Sequence, residues 1–218
     1  MFCQGYGLED YAQEAYNPID KREPVVDGYN YKPDLSTPDV AVYEDPLSQQ
    51  AKVAFRGTSK VRDINPDIGI AGNVFKSTDR YKSDKAQLEK IIMRYGPQNL
   101  HLLGHSLAGR SASTLAQDYS LKADTFNEGS SPLQMKQDLE RILRCTLFPS
   151  QTMCVNAKKI TKHLIPGDPV SAWNVFTPSN IVYHKPKGFN FHSLKNFKKI
   201  KKNLLNIEKD GMRTIRKK

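Results

Sequence analysis

The segment Gly104-His105-Ser106-Leu107-Ala108-Gly109 carries the strongest chemical signal in the chain. A serine hydroxyl is a poor nucleophile at neutral pH unless a histidine takes its proton and a carboxylate orients that histidine. Small residues stand two positions before and two after Ser106. A short apolar run, Asn99 to Leu103, precedes the segment, and a helix-compatible run, Arg110 to Tyr119, follows it. That context predicts a tight strand-to-helix turn that lifts the serine oxygen above a sheet edge. The same turn aims the Leu107 amide at the place where an oxyanion forms when a carbonyl is attacked. Ala108 stands where glycine is commonest, and alanine is still small.

The remaining parts are sought by order along the chain. A serine on such an elbow is followed by its acid and then by its histidine. Asp168, in Pro166-Gly167-Asp168-Pro169-Val170, lies on a loop after a predicted strand, at the sheet rim where ligands bind in α/β folds. Three histidines follow Ser106: His163, His184 and His192. His101 and His105 precede it, and His105, although adjacent, points to the opposite face if the strand is regular. With Asp168 as the acid, His163 comes too early, and His184 and His192 remain. Order and context favour His192, which lies among aromatic residues at a loop-to-helix junction. A second oxyanion amide is expected from the loop after an early strand. Phe55-Arg56-Gly57-Thr58 is suited to it: Gly57 permits close approach, the Thr58 amide donates and its hydroxyl holds the loop in shape.

Strands are predicted at Asp39 to Tyr43 and Lys52 to Phe55, joined as a hairpin, and at Asn99 to Leu103 and Lys122 to Phe126. Further strands are predicted at Met153 to Asn156, Lys159 to Ile165 and Asn180 to His184. A helix capped by Asp79 or Ser83 carries Leu88, Ile91, Ile92 and Tyr95 and stops at Gly96-Pro97. Ser131-Pro132 opens another, amphipathic, with Leu133, Leu139, Ile142 and Leu143 on one side. A basic helix from about His192 closes the chain. This alternation predicts an α/β domain with a largely parallel sheet. Residues 1–38 read as an irregular arm, 39–197 as the catalytic domain, and 198–218 as a basic helix or tail.

At 218 residues the chain holds one domain with a real core, and 38% apolar residues mark it as globular. No run reaches the length of a membrane span, and no signal peptide is visible. Cys3, Cys145 and Cys154 are odd in number and lack close metal-ligand spacing, so they fit a reducing compartment better than a disulfide scaffold. No metal or other cofactor is called for, and an intracellular or virion-type setting is favoured. Much of the net charge of +10 sits in the last stretch from Lys185. Its basic, helically spaced residues fit an anionic membrane surface, while nucleic acid is the weaker reading because Phe197, Ile200, Leu204 and Ile207 form a docking stripe.

Four segments together, VAFRGTS from Val53, GHSLAG, GDPVS from Gly167 and FHSLKNF from Phe191, resemble the class 3 lipases, the family that includes the filamentous-fungal triacylglycerol lipases. Their order and spacing agree from about Asp39 to Phe197. The resemblance implies an α/β-hydrolase fold, a mostly parallel central sheet flanked by helices. It implies Ser106 as nucleophile, Asp168 as acid, His192 as base, Thr58 and Leu107 as oxyanion donors, and an acyl ester or lipid substrate. It also strengthens His192 over His184 and makes Asp63 a candidate support. The chain departs from the secreted fungal members in its length, in lacking a disulfide framework and in lacking a clear lid helix. Residues 59–79 read instead as a short lid loop with Ile64, Ile68, Ile70, Val74 and Phe75 as apolar contacts. Two other readings stay open: a thioesterase or peptidase using the same triad, and an inactive relative that binds lipid or a protein partner.

Overall fold

The computed structural model describes residues 7–57 and 75–198. Its centre is one eight-stranded sheet in which the strands lie in chain order. The strands are β1 (Val25–Val26), β2 (Tyr29–Tyr31), β3 (Val40–Glu44), β4 (Ala51–Phe55), β5 (Leu100–His105), β6 (Lys122–Phe126), β7 (Ile160–Leu164) and β8 (Asn180–Tyr183). The first four pair antiparallel, and β4 through β8 run parallel. The helices are α1 (Leu8–Glu14), α2 (Asp79–Tyr95), α3 (Leu107–Tyr119), α4 (Pro132–Leu147) and α5 (Thr152–Ala157). This is an α/β fold built on one mostly parallel central sheet, as expected.

The strand order decides where the helices go. Parallel neighbours in sequence order need crossovers, and right-handed crossovers all rise over the same side of the sheet. The core is laid out accordingly. Tyr81, Leu88, Ile91 and Tyr95 of α2 and Ala112, Leu115 and Ala116 of α3 pack with Val42, Val53, Leu102 and Ala123 on one face. The opposite face receives none of that material. It is covered instead by α1, whose Tyr11 and Ala12, with Ala15 just beyond, pack on Ala41, Tyr43, Ala54 and Leu103, and by the segment bearing Leu194 and Phe197. Small residues on the sheet let α1 lie close.

Several local expectations change. Residues 8–31, read as irregular, supply α1 and the two outer strands β1 and β2. Their apolar residues are too few and too scattered for a visible period, and the face left open by the crossovers holds them. Met153 to Asn156 lies within α5, not a strand, and the helix buries Cys154 and Ala157, three positions apart. Thr78, not Asp79 or Ser83, caps α2, its hydroxyl accepting from the Tyr81 amide at 3.2 Å. The basic helix expected from His192 is, as far as Lys198, a turn and a short 3-10 helix at Leu194–Asn196. The rest of that segment, with Ile200, Leu204 and Ile207, lies outside the described residues.

Cys145 and Cys154 form a disulfide, which overturns the reading of unpaired cysteines. They are nine positions apart, and the turn between α4 and α5 brings their Cα atoms to 5.4 Å. That proximity depends on residues 152–157 being helical, so it was hidden with the helix; Cys3 lies outside the described residues. The apolar side of α4 is also not its packed side. The helix docks through Gln134 and Asp138, which bond each other at 2.8 Å, while Leu139 and Leu143 are 53% and 64% exposed.

Candidate active site

Ser106 stands between the last residue of β5 and the first of α3, with φ 59° and ψ −128°. A non-glycine residue there is strained, and such strain collects at functional sites. The turn is possible because of what flanks it. A Cβ on Gly104 would lie 2.6 Å from the Ala108 carbonyl carbon and 2.7 Å from the Gly109 amide nitrogen, so strand and helix meet with no room for a side chain. The Ser106 amide donates to Phe126 O at 3.1 Å and its carbonyl accepts from the Gly129 amide at 2.9 Å, which ties the elbow to the end of β6. Leu107 begins α3, and a first-turn amide has no acceptor within its own helix.

Asp168 follows β7 in a turn that Gly167 enters with φ 89°. The carboxylate is 1% exposed. Its Oδ2 accepts from Ser171 Oγ at 2.8 Å and from His192 Nδ1 at 3.0 Å, and Oδ1 accepts from the Val170 amide at 3.2 Å. Burial pushes the Asp168 carboxyl up, but the hydrogen bond and charge of His192, with Ser171 and Val170, outweigh it and hold the carboxyl below its usual range.

His192 has no strand or helix to fix it, and side chains do so instead. Asn127 Nδ2 donates to Phe191 O at 2.7 Å, and His105 Nε2 donates to His192 O at 2.7 Å. Asn127 Oδ1 also accepts from the Ile165 amide at 2.9 Å, so one buried residue holds the approaches to acid and histidine together. The His192 ring lies 4.7 Å from that of His105, the neighbour of Ser106. His192 Nε2 is buried and has no hydrogen-bond partner among the described residues. Buried polar atoms are nearly always paired, and an exception asks for a chemical reason.

The structure therefore brings Asp168 and His192 together beside the Ser106 elbow, with no hydrogen bond between Ser106 and His192. His184 is held elsewhere, its Nε2 2.9 Å from His163 Nδ1; His163 and His101 each bond one oxygen of Asp124, at 2.7 and 2.6 Å. Thr58, Asp63 and the lid contacts Ile64, Ile68, Ile70 and Val74 lie outside the described residues, as does the Phe75 side chain. Sequence reasoning passed over three residues. Ser171 had a signal, a hydroxyl three positions after the acid. Asn127 and Tyr16 had none, since their contacts join segments distant in the chain.

A family model, the Tle-like phospholipase domain, matches residues 11–174. The chain belongs to this Tle-like phospholipase family. The match holds the Arg56-Gly57 loop, the Ser106 elbow and Asp168, and it ends before His192. For this Tle-like chain the choice of histidine therefore rests on its own geometry. A triacylglycerol lipase from Penicillium expansum, known from its crystal structure, has 14% identity over 87% of this chain and 85% of its own, with a TM-score of 0.42, a likeness too distant to bear on mechanism. Among curated proteins none matches. Among the described residues of this Tle-like domain, no helix is long and apolar enough to cross a membrane.

His105 links this site to stability. Burial lowers its pKa from 6.5 to about 3, with the nearby His192 contributing. Below pH 6.5 the unfolded chain takes up a proton that the folded chain refuses, so stability falls as pH drops toward about 3. The loss by then is on the order of 4 kcal/mol. Urea midpoints measured between pH 7 and pH 4 are expected to fall faster for the wild type than for His105→Gln. Parallel curves would contradict it.

Proposed function

We propose that this protein is a serine carboxyl-ester hydrolase acting on lipid acyl esters, phospholipids included, through Ser106, His192 and Asp168. The observation that carries the reading is the buried Asp168–His192 pair whose second ring nitrogen is left unpaired beside the elbow. An Nδ1–H held by a carboxylate makes Nε2 the basic nitrogen, the one that can take the serine proton. Attack on an ester carbonyl gives a tetrahedral intermediate whose oxyanion is held by the Leu107 amide and, by the class 3 lipase resemblance, that of Thr58. His192 returns the proton to the leaving alcohol, and an acyl group remains on Ser106. Water, deprotonated by His192, then releases the acid and restores the serine.

Two observations favour a lipid ester over a soluble one. The family is one of phospholipase-like domains. The apolar stripe of α4, with Leu139, Leu143 and Leu147 all more than half exposed, suits contact with an aggregated substrate. The basic residues beyond Lys198 are kept as a contact for an anionic membrane surface.

The test uses the intact chain. A fluorophosphonate probe is expected to label it, with the adduct on the peptide containing Ser106, and phosphatidylcholine vesicles are expected to yield free fatty acid. A chain that takes no label and releases no acid would be the binding-only relative, and the proposal would be lost. Hydrolysis of thioesters alone would overturn the ester assignment.

A further inference from the structure

We propose that Tyr16 and His105 are positioning residues that tie the loop carrying Gly57 to the backbone of His192. The inference rests on the Ser106–His192–Asp168 reading and adds an element to it, because neither residue touches the reacting atoms.

The direction of each hydrogen bond is set by its neighbours. His192 O can only accept, so the His105 nitrogen 2.7 Å away, Nε2, carries the proton. His105 Nδ1 is then a lone pair, and the Tyr16 hydroxyl 2.9 Å away donates to it. The Tyr16 hydroxyl in turn packs directly against Gly57, where any Cβ would collide with it. One line of donors thus runs from Tyr16 through His105 to His192, and its outer end rests on Gly57. His105 is 8% exposed, and burial keeps it uncharged at working pH. A neutral ring beside His192 matters, because a cation there would oppose the imidazolium that forms during catalysis.

The line also explains why Gly57 is glycine. A Cβ there would collide with the Tyr16 hydroxyl and lie 2.7 Å from His105 O. Tyr16 reaches this spot because it follows α1, the helix on the sheet face that the crossovers leave open. Burial pushes its hydroxyl up to about 12, so it remains a donor throughout. A segment before the first strand therefore supports both the loop expected to supply an oxyanion donor and the residue expected to act as base.

The bland alternative is a polar packing contact that affects stability only. Tyr16→Phe, His105→Ala and His105→Gln separate the two, read by kcat and KM on a soluble short-chain ester and by the fluorophosphonate labelling rate against pH. A small misplacement of catalytic groups can cost about 100-fold. Tyr16→Phe is expected to lower kcat and labelling by about tenfold with KM within about twofold, and His105→Ala by about 100-fold. The acid limb of the labelling profile is expected to move to lower pH, since a looser ring pairs less well with Asp168. His105→Gln, whose amide can still donate to His192 O, is expected to recover most of the loss. Wild-type labelling and an unmoved pH profile in Tyr16→Phe would overturn the inference, whatever its melting temperature. Ser106→Ala labelled as fast as wild type would instead overturn the triad reading beneath it. If His105→Ala does not fold, Tyr16→Phe alone decides.

Discussion

Ser106→Ala is expected to leave ester hydrolysis at background, a loss of about six orders of magnitude in kcat. The methyl group occupies the same strained turn, and neighbouring contacts run through the serine backbone, namely its amide to Phe126 O and its carbonyl to the Gly129 amide. Fold and substrate binding are therefore kept while the acyl-enzyme cannot form. Asp168→Asn is expected to cost less, about four orders of magnitude, for a different reason. An amide presenting its N–H₂ to His192 Nδ1 shifts the ring proton to Nε2, where it blocks acceptance from Ser106. Steady-state rates on a short-chain ester, with melting temperatures as the fold control, check both. Ser106→Ala retaining even a tenth of wild-type kcat would remove it as the nucleophile.

The second large effect lies beneath the elbow. Glu128 is fully buried, and its Oε1 accepts from Lys162 Nζ at 3.1 Å and Ser113 Oγ at 3.0 Å, while Oε2 accepts from Thr125 Oγ1 at 3.0 Å. Lys162 also donates to Asn174 Oδ1 at 3.0 Å, and Asn174 Nδ2 donates back to Glu128 O at 2.7 Å. Lys162→Met keeps the volume and removes the charge. Arg110 remains, 3.6 Å from Oε1, too far to replace a direct hydrogen bond. A buried charge that loses its partner costs roughly 3–5 kcal/mol, whereas replacing both members by apolar residues is often neutral. Urea denaturation is expected to show that loss for Lys162→Met and a smaller one for Lys162→Met with Glu128→Leu. A single variant within about 1 kcal/mol of wild type, little more than an ordinary surface change, would refute it.

Much of the frame was legible because its signals are local. β6 begins and ends where the alternation at Lys122 to Phe126 does, and Ser131-Pro132 opens α4 as its cap chemistry implies. The elbow was legible because sterics demand small residues at fixed offsets. The failures have two causes. Asn127 with Phe191 and Tyr16 with His105 are meetings between distant segments, set by strand order, while Cys145 and Cys154 are near in the chain and meet only because residues 152–157 are helical. His105 was set aside as pointing away from Ser106, yet pointing away is what lets it reach the His192 backbone. Lys162 did leave a trace. It occupies the buried parity of β7, between Ile160 and Leu164, where a lone lysine asks for a buried acid.

The helix on the open sheet face has a consequence for synthesis. Ala12 is made about ninety residues before Leu103, part of the surface on which α1 rests. At a ribosomal rate of roughly 5–20 residues per second, that is a wait of about 5–20 s. During that time Tyr11, Ala12 and Ala15 have only the earlier-made part of their seat, Ala41, Tyr43 and Ala54. The helix is thus made well before its seat is complete, and Tyr16 waits with it.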